Sequence, residues 1–187
     1  MGQVSRRGFL VGVACGAVTG AVSTTASATI VRALSLIALV QTSRRIVVVT
    51  ALGAESHFEE LGRRRRVVTD TRVRVEEVVA KGEGVDSELL VRTLGGSIGR
   101  LGEQVQGQAR LVLGEPCVAF LLQGPDGLHY MNGMAQGHYP LRNEAARRLT
   151  RSPDLPEIID FDNSAVKALV GTDLDRAGAR IRALIAR

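Results

Sequence analysis

Arg45-Ile46-Val47-Val48-Val49-Thr50-Ala51-Leu52 and the stretch Val67-Val68-Thr69-Asp70-Thr71-Arg72-Val73-Arg74-Val75-Glu76-Glu77-Val78-Val79 decide the fold. The first is an uninterrupted, mostly β-branched run, which predicts a buried strand. The second alternates through its middle. Thr69, Thr71, Val73 and Val75 point one way, and Asp70, Arg72, Arg74 and Glu76 the other, which predicts a long strand with one wet face.

Reading onward, Lys81-Gly82-Glu83-Gly84 is a turn, and Leu89, Val91 and Thr93 alternate with Leu90, Arg92 and Leu94 in a third strand. Gly95 to Gly107 is glycine-rich and reads as a loop. Arg110 to Leu113 and Cys117 to Leu122 read as two strands split by Gly114-Glu115-Pro116. Gly124-Pro125-Asp126-Gly127 is a hairpin turn, His129 to Asn132 returns from it, and Tyr139 to Leu141 is a last short strand. The fold class is therefore mainly β: a small antiparallel barrel or sandwich of six to seven strands spanning residues 44–142.

Helical segments flank this body. Residues 29–43 form a helical lead-in, with apolar residues at Val31, Leu34, Ile37 and Leu39/Val40. Residues 143–163 read as a linker, because Arg151-Ser152-Pro153-Asp154-Leu155-Pro156 carries two prolines. Residues 164–187 end in an amphipathic helix. Thr172 is the expected N-cap, Leu174, Ala177, Ile181, Leu184 and Ile185 form the apolar stripe, and Arg176, Arg180, Arg182 and Arg187 lie mostly off it.

The first 28 residues read as an export signal. Ser5-Arg6-Arg7-Gly8-Phe9-Leu10 matches the S-R-R-x-F-L core of twin-arginine signals, which a dedicated translocase recognises. The uncharged stretch that follows is diluted by Gly, Ala and Thr, and Ala26-Ser27-Ala28 offers the small-x-small cleavage site. The location expected is periplasmic or secreted, with the translocase as the partner during export. Two alternatives stay open: an uncleaved inner-membrane anchor, and a lipoprotein acylated at Cys15 in Gly12-Val13-Ala14-Cys15.

Composition narrows the chemistry. Removing the first 28 of 187 residues leaves 159, enough for one domain with its own core. It also removes two arginines from 24 basic and 19 acidic residues, leaving a net charge of +3, too modest to imply a specific nucleic-acid partner. After cleavage Cys117 stands alone inside the apolar run Cys117-Val118-Ala119-Phe120-Leu121-Leu122, which predicts a buried, inert thiol rather than a nucleophile.

No cofactor or metal motif emerges. Gly95-Gly96-Ser97-Ile98-Gly99-Arg100-Leu101-Gly102 matches neither G-x-G-x-x-G nor G-K-[ST], so its glycines read as a tight loop or bulge. His57 lacks a second histidine at i+4, where Leu61 stands, and the nine-residue separation of His129 and His138 fits no recognised metal spacing. No G-x-S-x-G occurs, and Glu76 and Glu77 face opposite sides of a strand. Arg63-Arg64-Arg65-Arg66 would suit a phosphate, an acidic polymer or an anionic lipid, or would stand as a solvated strand end.

Further features carry a family resemblance. They are Val68-Thr69-Asp70-Thr71-Arg72-Val73-Arg74-Val75, Val91-Arg92-Thr93-Leu94-Gly95-Gly96, Gly114-Glu115-Pro116, Phe120-Leu121 and Asn132-Gly133-Met134-Ala135-Gln136-Gly137-His138-Tyr139-Pro140-Leu141. Through them the region from Val67 to Arg142 resembles a domain of uncharacterised, twin-arginine-exported proteins of myxobacterial type. A related β-rich segment sits ahead of matrixin-like protease domains. The resemblance implies a mostly β module outside the cytoplasm and transfers no catalytic residues.

Two functions follow as expectations. The first is a non-enzymatic envelope module that binds a partner or a surface, motivated by the arginines on one strand face, Arg72, Arg74 and Arg92. The alternative is a small hydrolase or ligand-binding barrel whose binding surface draws on Tyr130, Asn132, Gln136 and His138, near the Gly95–Gly107 loop.

Overall fold

The computed structural model describes residues 30–82, 84, 86–142 and 145–186. The export-signal residues Ser5, Arg6, Arg7, Phe9 and Leu10 and the cleavage residues Ala26 and Ala28 lie outside the described residues.

A short strand, β1 (Ile30–Arg32), leads into helix α1 (Leu36–Thr42), whose N-cap Ser35 accepts the amide of Ala38. Then come two long strands, β2 (Arg45–Leu61) and β3 (Arg64–Ala80), and a third, β4 (Glu88–Leu94). A small hairpin, β5 (Gly96–Ile98) with β6 (Leu101–Glu103), precedes β7 (Pro116–Gln123), β8 (His129–Met131) and β9 (His138–Pro140). The chain closes with β10 (Glu157–Ile159), α2 (Ala165–Leu169) and α3 (Leu174–Ile185).

The main sheet runs β2-β3-β4-β8-β7-β9, and β2 pairs with β7 as well as with β3. Five strands therefore form a ring. All neighbours are antiparallel except β4 and β8, which run parallel through Val91↔His129 and Arg92↔Tyr130. A three-strand meander followed by two strands that return across it closes the barrel in Greek-key fashion. Fold class alone carries no function.

The apolar run of β2 explains why the ring forms where it does. Ile46, Val47, Val48 and Val49 are fully buried because both faces are covered: one by the barrel interior, the other by the helices and the C-terminal chain. Opposite them in register lie Phe120, Ala119, Val118 and Cys117 of β7. The end of α1 is held to the barrel by side chains. Lys81 donates to the carbonyls of Val40, Gln41 and Ser43, and the Asn132 amide donates to Leu39 O and to the hydroxyls of Thr42 and Ser43.

Five expectations need correction. The lead-in is helical only over Leu36–Thr42, because Ile30–Arg32 is a strand, and Ile37 is exposed. Residues 143–163 are not a linker, because Leu149, Leu155 and Ile158 join the single core and β10 pairs parallel with β1. The prolines at 153 and 156 turn a packed segment instead of separating two bodies. Arg110–Leu113 is not a strand; only an isolated bridge joins Ala51 to Leu113. The Gly95–Gly107 stretch contains the β5–β6 hairpin. Finally, the N-cap of α3 is Asp173, whose carboxylate accepts the Arg176 amide, while the Thr172 hydroxyl donates to Leu169 O. Of the expected stripe, α3 buries Leu174, Ala177 and Ile181, while Leu184 is half-buried and Ile185 is exposed. Among the described residues no helix is long and apolar enough to cross a membrane.

Candidate functional site

Beyond the ring, β2 and β3 continue as a hairpin that reaches past the barrel, and β4 follows β3 part of the way. Register decides what this extension presents. Ala54 pairs with Thr71, which pairs with Val91; Ser56 pairs with Thr69, which pairs with Thr93. Cross-strand partners share a face. Three neighbouring strands thus lay Ser56, Thr69, Thr71 and Thr93 side by side as a floor of hydroxyls. The β5–β6 hairpin and residues 104–111 border it, leaving a half-open cavity of about 560 Å³.

The floor is partly self-satisfied. The Ser56 and Thr69 hydroxyls lie 2.8 Å apart, Thr69 donates to the Gly95 carbonyl at 2.6 Å, and the Ser97 amide donates to Ser56 at 3.3 Å. Gly96 makes this contact possible. Its φ is 140°, and a Cβ there would overlap the Ser56 and Thr69 oxygens. Thr93, 7 % exposed, has only a long 3.4 Å contact to Thr69 O. Thr71 is 2 % exposed and lines the cavity, and its hydroxyl is not one of the buried side-chain atoms left without a partner.

Two carboxylates border the cavity, and both are engaged. Glu103 accepts the Val67 amide at 2.8 Å and pairs with Arg66; those contacts hold its carboxyl below the usual range, the amide hydrogen bond first. Asp154 accepts the Arg110 amide and Nε, both at 2.9 Å. The amides of Gln104 and Gln108 complete the polar lining, and Leu94, Val105 and Leu111 supply its apolar part. The lining contains no aromatic ring. The cavity therefore offers hydroxyls, amides and carbonyls with internally balanced charge.

The four residues expected to form a binding surface are not brought together on this cavity. Asn132 caps α1. Gln136 is buried and clamps the N-terminal segment, accepting from Leu34 N at 2.8 Å and donating to Arg32 O at 3.0 Å. His138 is buried, with Nδ1 3.0 Å from the Ser152 hydroxyl, and burial pushes its pKa down to about 4. Tyr130 lies on the outer face, donating to Asp126 at 2.6 Å; burial and that hydrogen bond raise it to about 12. Three of the four spend their polar atoms on holding the fold together.

The arginine face is likewise balanced. Arg92 grips both oxygens of Asp70 at 2.6 Å and reaches Glu59 at 2.6 Å, with His57 3.9 Å from Asp70. Arg74 pairs with Glu76, and Arg72 lies 3.7 Å from Glu88. Within the four-arginine run, Arg66 is held by Glu103 and Arg65 stacks 4.1 Å over Phe58, leaving Arg63 and Arg64 exposed. Cys117 is buried, and desolvation pushes its thiol up to about 12, which removes it as a nucleophile.

The floor threonines carried a signal that sequence reasoning noticed without using. Thr69 and Thr71 sit on the same strand face as Val73 and Val75, and Thr93 shares a face with Leu89 and Val91. Hydroxyls that continue an apolar row mark where the core gives way to a polar cavity.

No family model matches this chain, and no curated protein or solved structure matches it significantly.

Proposed function

We propose that this protein is a non-enzymatic binding module of the cell envelope that holds an uncharged polar ligand in the cavity bordered by the Gly95–Gly107 segment. The observation that carries this reading is the cavity itself, about 560 Å³ over a floor that brings together Ser56, Thr69, Thr71 and Thr93. Binding is favoured over turnover because the two carboxylates in the lining, Glu103 and Asp154, are each committed to an arginine and a backbone amide. A general base must be free to take a proton. The balanced charge favours a neutral ligand, since a buried unpaired charge is costly. The envelope location rests on Ser5, Arg6, Arg7, Phe9 and Leu10. Cleavage after Ala28 would leave every described element intact, because β1 starts at Ile30.

Ligand-observed NMR tests the cavity. N-methylacetamide and glycerol serve as neutral probes, with acetate and methylammonium as charged counterparts. Saturation transfer to the neutral pair, abolished in Ala54→Trp, is the expected result. Ala54 is exposed on the cavity wall, so tryptophan there fills space without disturbing the core. Transfer to neither neutral probe, or transfer unchanged in Ala54→Trp, overturns the reading. Export is tested by intact mass after cell fractionation: an envelope species beginning at Thr29, and full-length precursor for Arg6→Lys/Arg7→Lys.

A further inference from the structure

Three buried side-chain atoms among the described residues lack a hydrogen-bond partner: Arg45 Nη1, His129 Nε2 and the Tyr139 hydroxyl. The first two stand together. Arg45 pairs in register with Leu121 of β7, and His129 pairs with Gln123 on the other side of that strand. Leu121 and Gln123 share a face of β7, and cross-strand partners share a face, so Arg45 and His129 flank β7 on one face. That face is the barrel interior. Val47, Ala119 and Val91 continue it as fully buried residues, whereas Leu90 and Leu122 on the other face are exposed. Neither Arg45 nor His129 lines the hydroxyl-floored cavity. His129 is 5 % exposed, and Arg45 is half-buried, which leaves the pair a path to solvent.

The chemistry of the two nitrogens selects an occupant. A guanidinium cannot shed its charge. Arg45 nevertheless forms no ion pair among the described residues. A buried charge without a counter-charge is costly. Water between the two side chains would accept from Nη1 and donate to Nε2, yet leave that charge uncompensated. An anion compensates it, and a proton on Nε2 turns the facing lone pair into a second donor. Burial and then Arg45 lower the His129 pKa from 6.5, while the Leu90 backbone and the carboxylate of Asp86 act in the opposite sense. An anion beside both rings of charge offsets the repulsion from Arg45 and so favours the imidazolium.

We infer that Arg45 Nη1 and His129 Nε2 form a site for a small monovalent anion, which enters together with one proton taken from solvent by His129. The site is separate from the cavity and stands or falls without it.

The test is a proton NMR titration of the three histidines in the full chain, with His129 assigned through His129→Gln. Sodium gluconate, too bulky to enter between two buried nitrogens, is exchanged for sodium chloride or sodium formate at constant ionic strength. Chloride and formate should tighten proton binding to His129 about threefold or more, read as a rise in its pKa, while His57 stays unchanged. Arg45→Gln should abolish that dependence. Asp86 is exposed, so Asp86→Asn removes an opposing negative charge without disturbing the core, and it should tighten chloride binding severalfold. A His129 pKa that is the same in gluconate, chloride and formate means an ordered water only, and it overturns the inference. A chloride dependence that survives in Arg45→Gln does so too. Should Arg45→Gln not fold, chloride binding in Asp86→Asn equal to that of the parent protein overturns it.

Discussion

The two ends of the β2–β3 hairpin are built from the same pair of strands and do opposite things. At the closed end, Ile46 to Val49 face Val118 and its neighbours with both edges paired and both faces covered. At the projecting end, the same strands carry Ser56, Thr69 and Thr71 on the floor of a half-open cavity, with one edge open. The closed end gains from burial, about 25 cal/mol per Å² of apolar surface removed from water. The projecting end forgoes much of that gain in keeping hydroxyls and a cavity where a core would otherwise fill. The difference teaches that stability and recognition are segregated along one hairpin, and substitutions should separate them.

The largest effect belongs to the closed end. Phe120 is fully buried opposite Ile46 and packs edge-on against Tyr139, with ring centroids 5.8 Å apart. Phe120→Ala should cost about 3–5 kcal/mol in denaturant unfolding, from lost transfer energy and the cavity left behind. An effect below about 1 kcal/mol would mean the ring of strands is not the stabilising core.

Next comes the pH response of His138, which joins β9 to the chain at Ser152. Its pKa falls from 6.5 unfolded to about 4 folded because burial penalises the imidazolium. Between these values the unfolded state binds more protons, so stability is present above pH 6.5 and is lost as pH falls toward 4. The loss should reach about 3 kcal/mol. Burial also lowers His129, which adds in the same direction. Unfolding curves at pH 7 and pH 4.5 should therefore converge markedly in His138→Gln; equal pH dependence in both proteins would contradict the assignment.

Gly96→Ala probes the joint between the two regions. A Cβ there meets Thr69 and Ser56, and the positive φ adds strain, so about 1–3 kcal/mol should be lost. Because the β5–β6 hairpin must shift, binding of N-methylacetamide should fall with it, while the closed end keeps its exchange protection.

The two ends also differed in legibility. The closed end was readable because Arg45–Leu52 and Cys117–Leu122 are apolar runs, and Val73 and Val75 alternate with charge. The β2 half of the projecting end was not. Gly53-Ala54-Glu55-Ser56-His57-Phe58-Glu59-Glu60-Leu61 has no strand signature of its own and is extended only because each residue finds a partner on β3. Asn132, Gln136 and His138 misled for the complementary reason. Polar residues in a cluster suggest a site, yet Asn132 and Gln136 satisfy α1 and the N-terminal segment and His138 meets the Ser152 hydroxyl, demands visible only after those segments are placed. Residues 143–163 looked like a linker because Pro153 and Pro156 break regular structure, although Leu149, Leu155 and Ile158 anchor the segment in the core.

The smallest effect on stability should carry the largest effect on binding. Thr71→Val replaces a hydroxyl by a methyl of nearly equal volume. That hydroxyl lines the cavity and is not a buried atom left without a partner, and the floor's bonds among Ser56, Thr69 and Gly95 do not involve it. Denaturant unfolding should thus show a change within about 0.5 kcal/mol. Saturation transfer to N-methylacetamide should nonetheless fall severalfold. Thr71→Ser, which keeps the hydroxyl, should retain binding even as it loses a methyl contact and some stability. If Thr71→Val instead destabilises the protein and binds its probe normally, the hydroxyl is bonded in the free fold, and the cavity floor belongs with the closed end rather than with recognition.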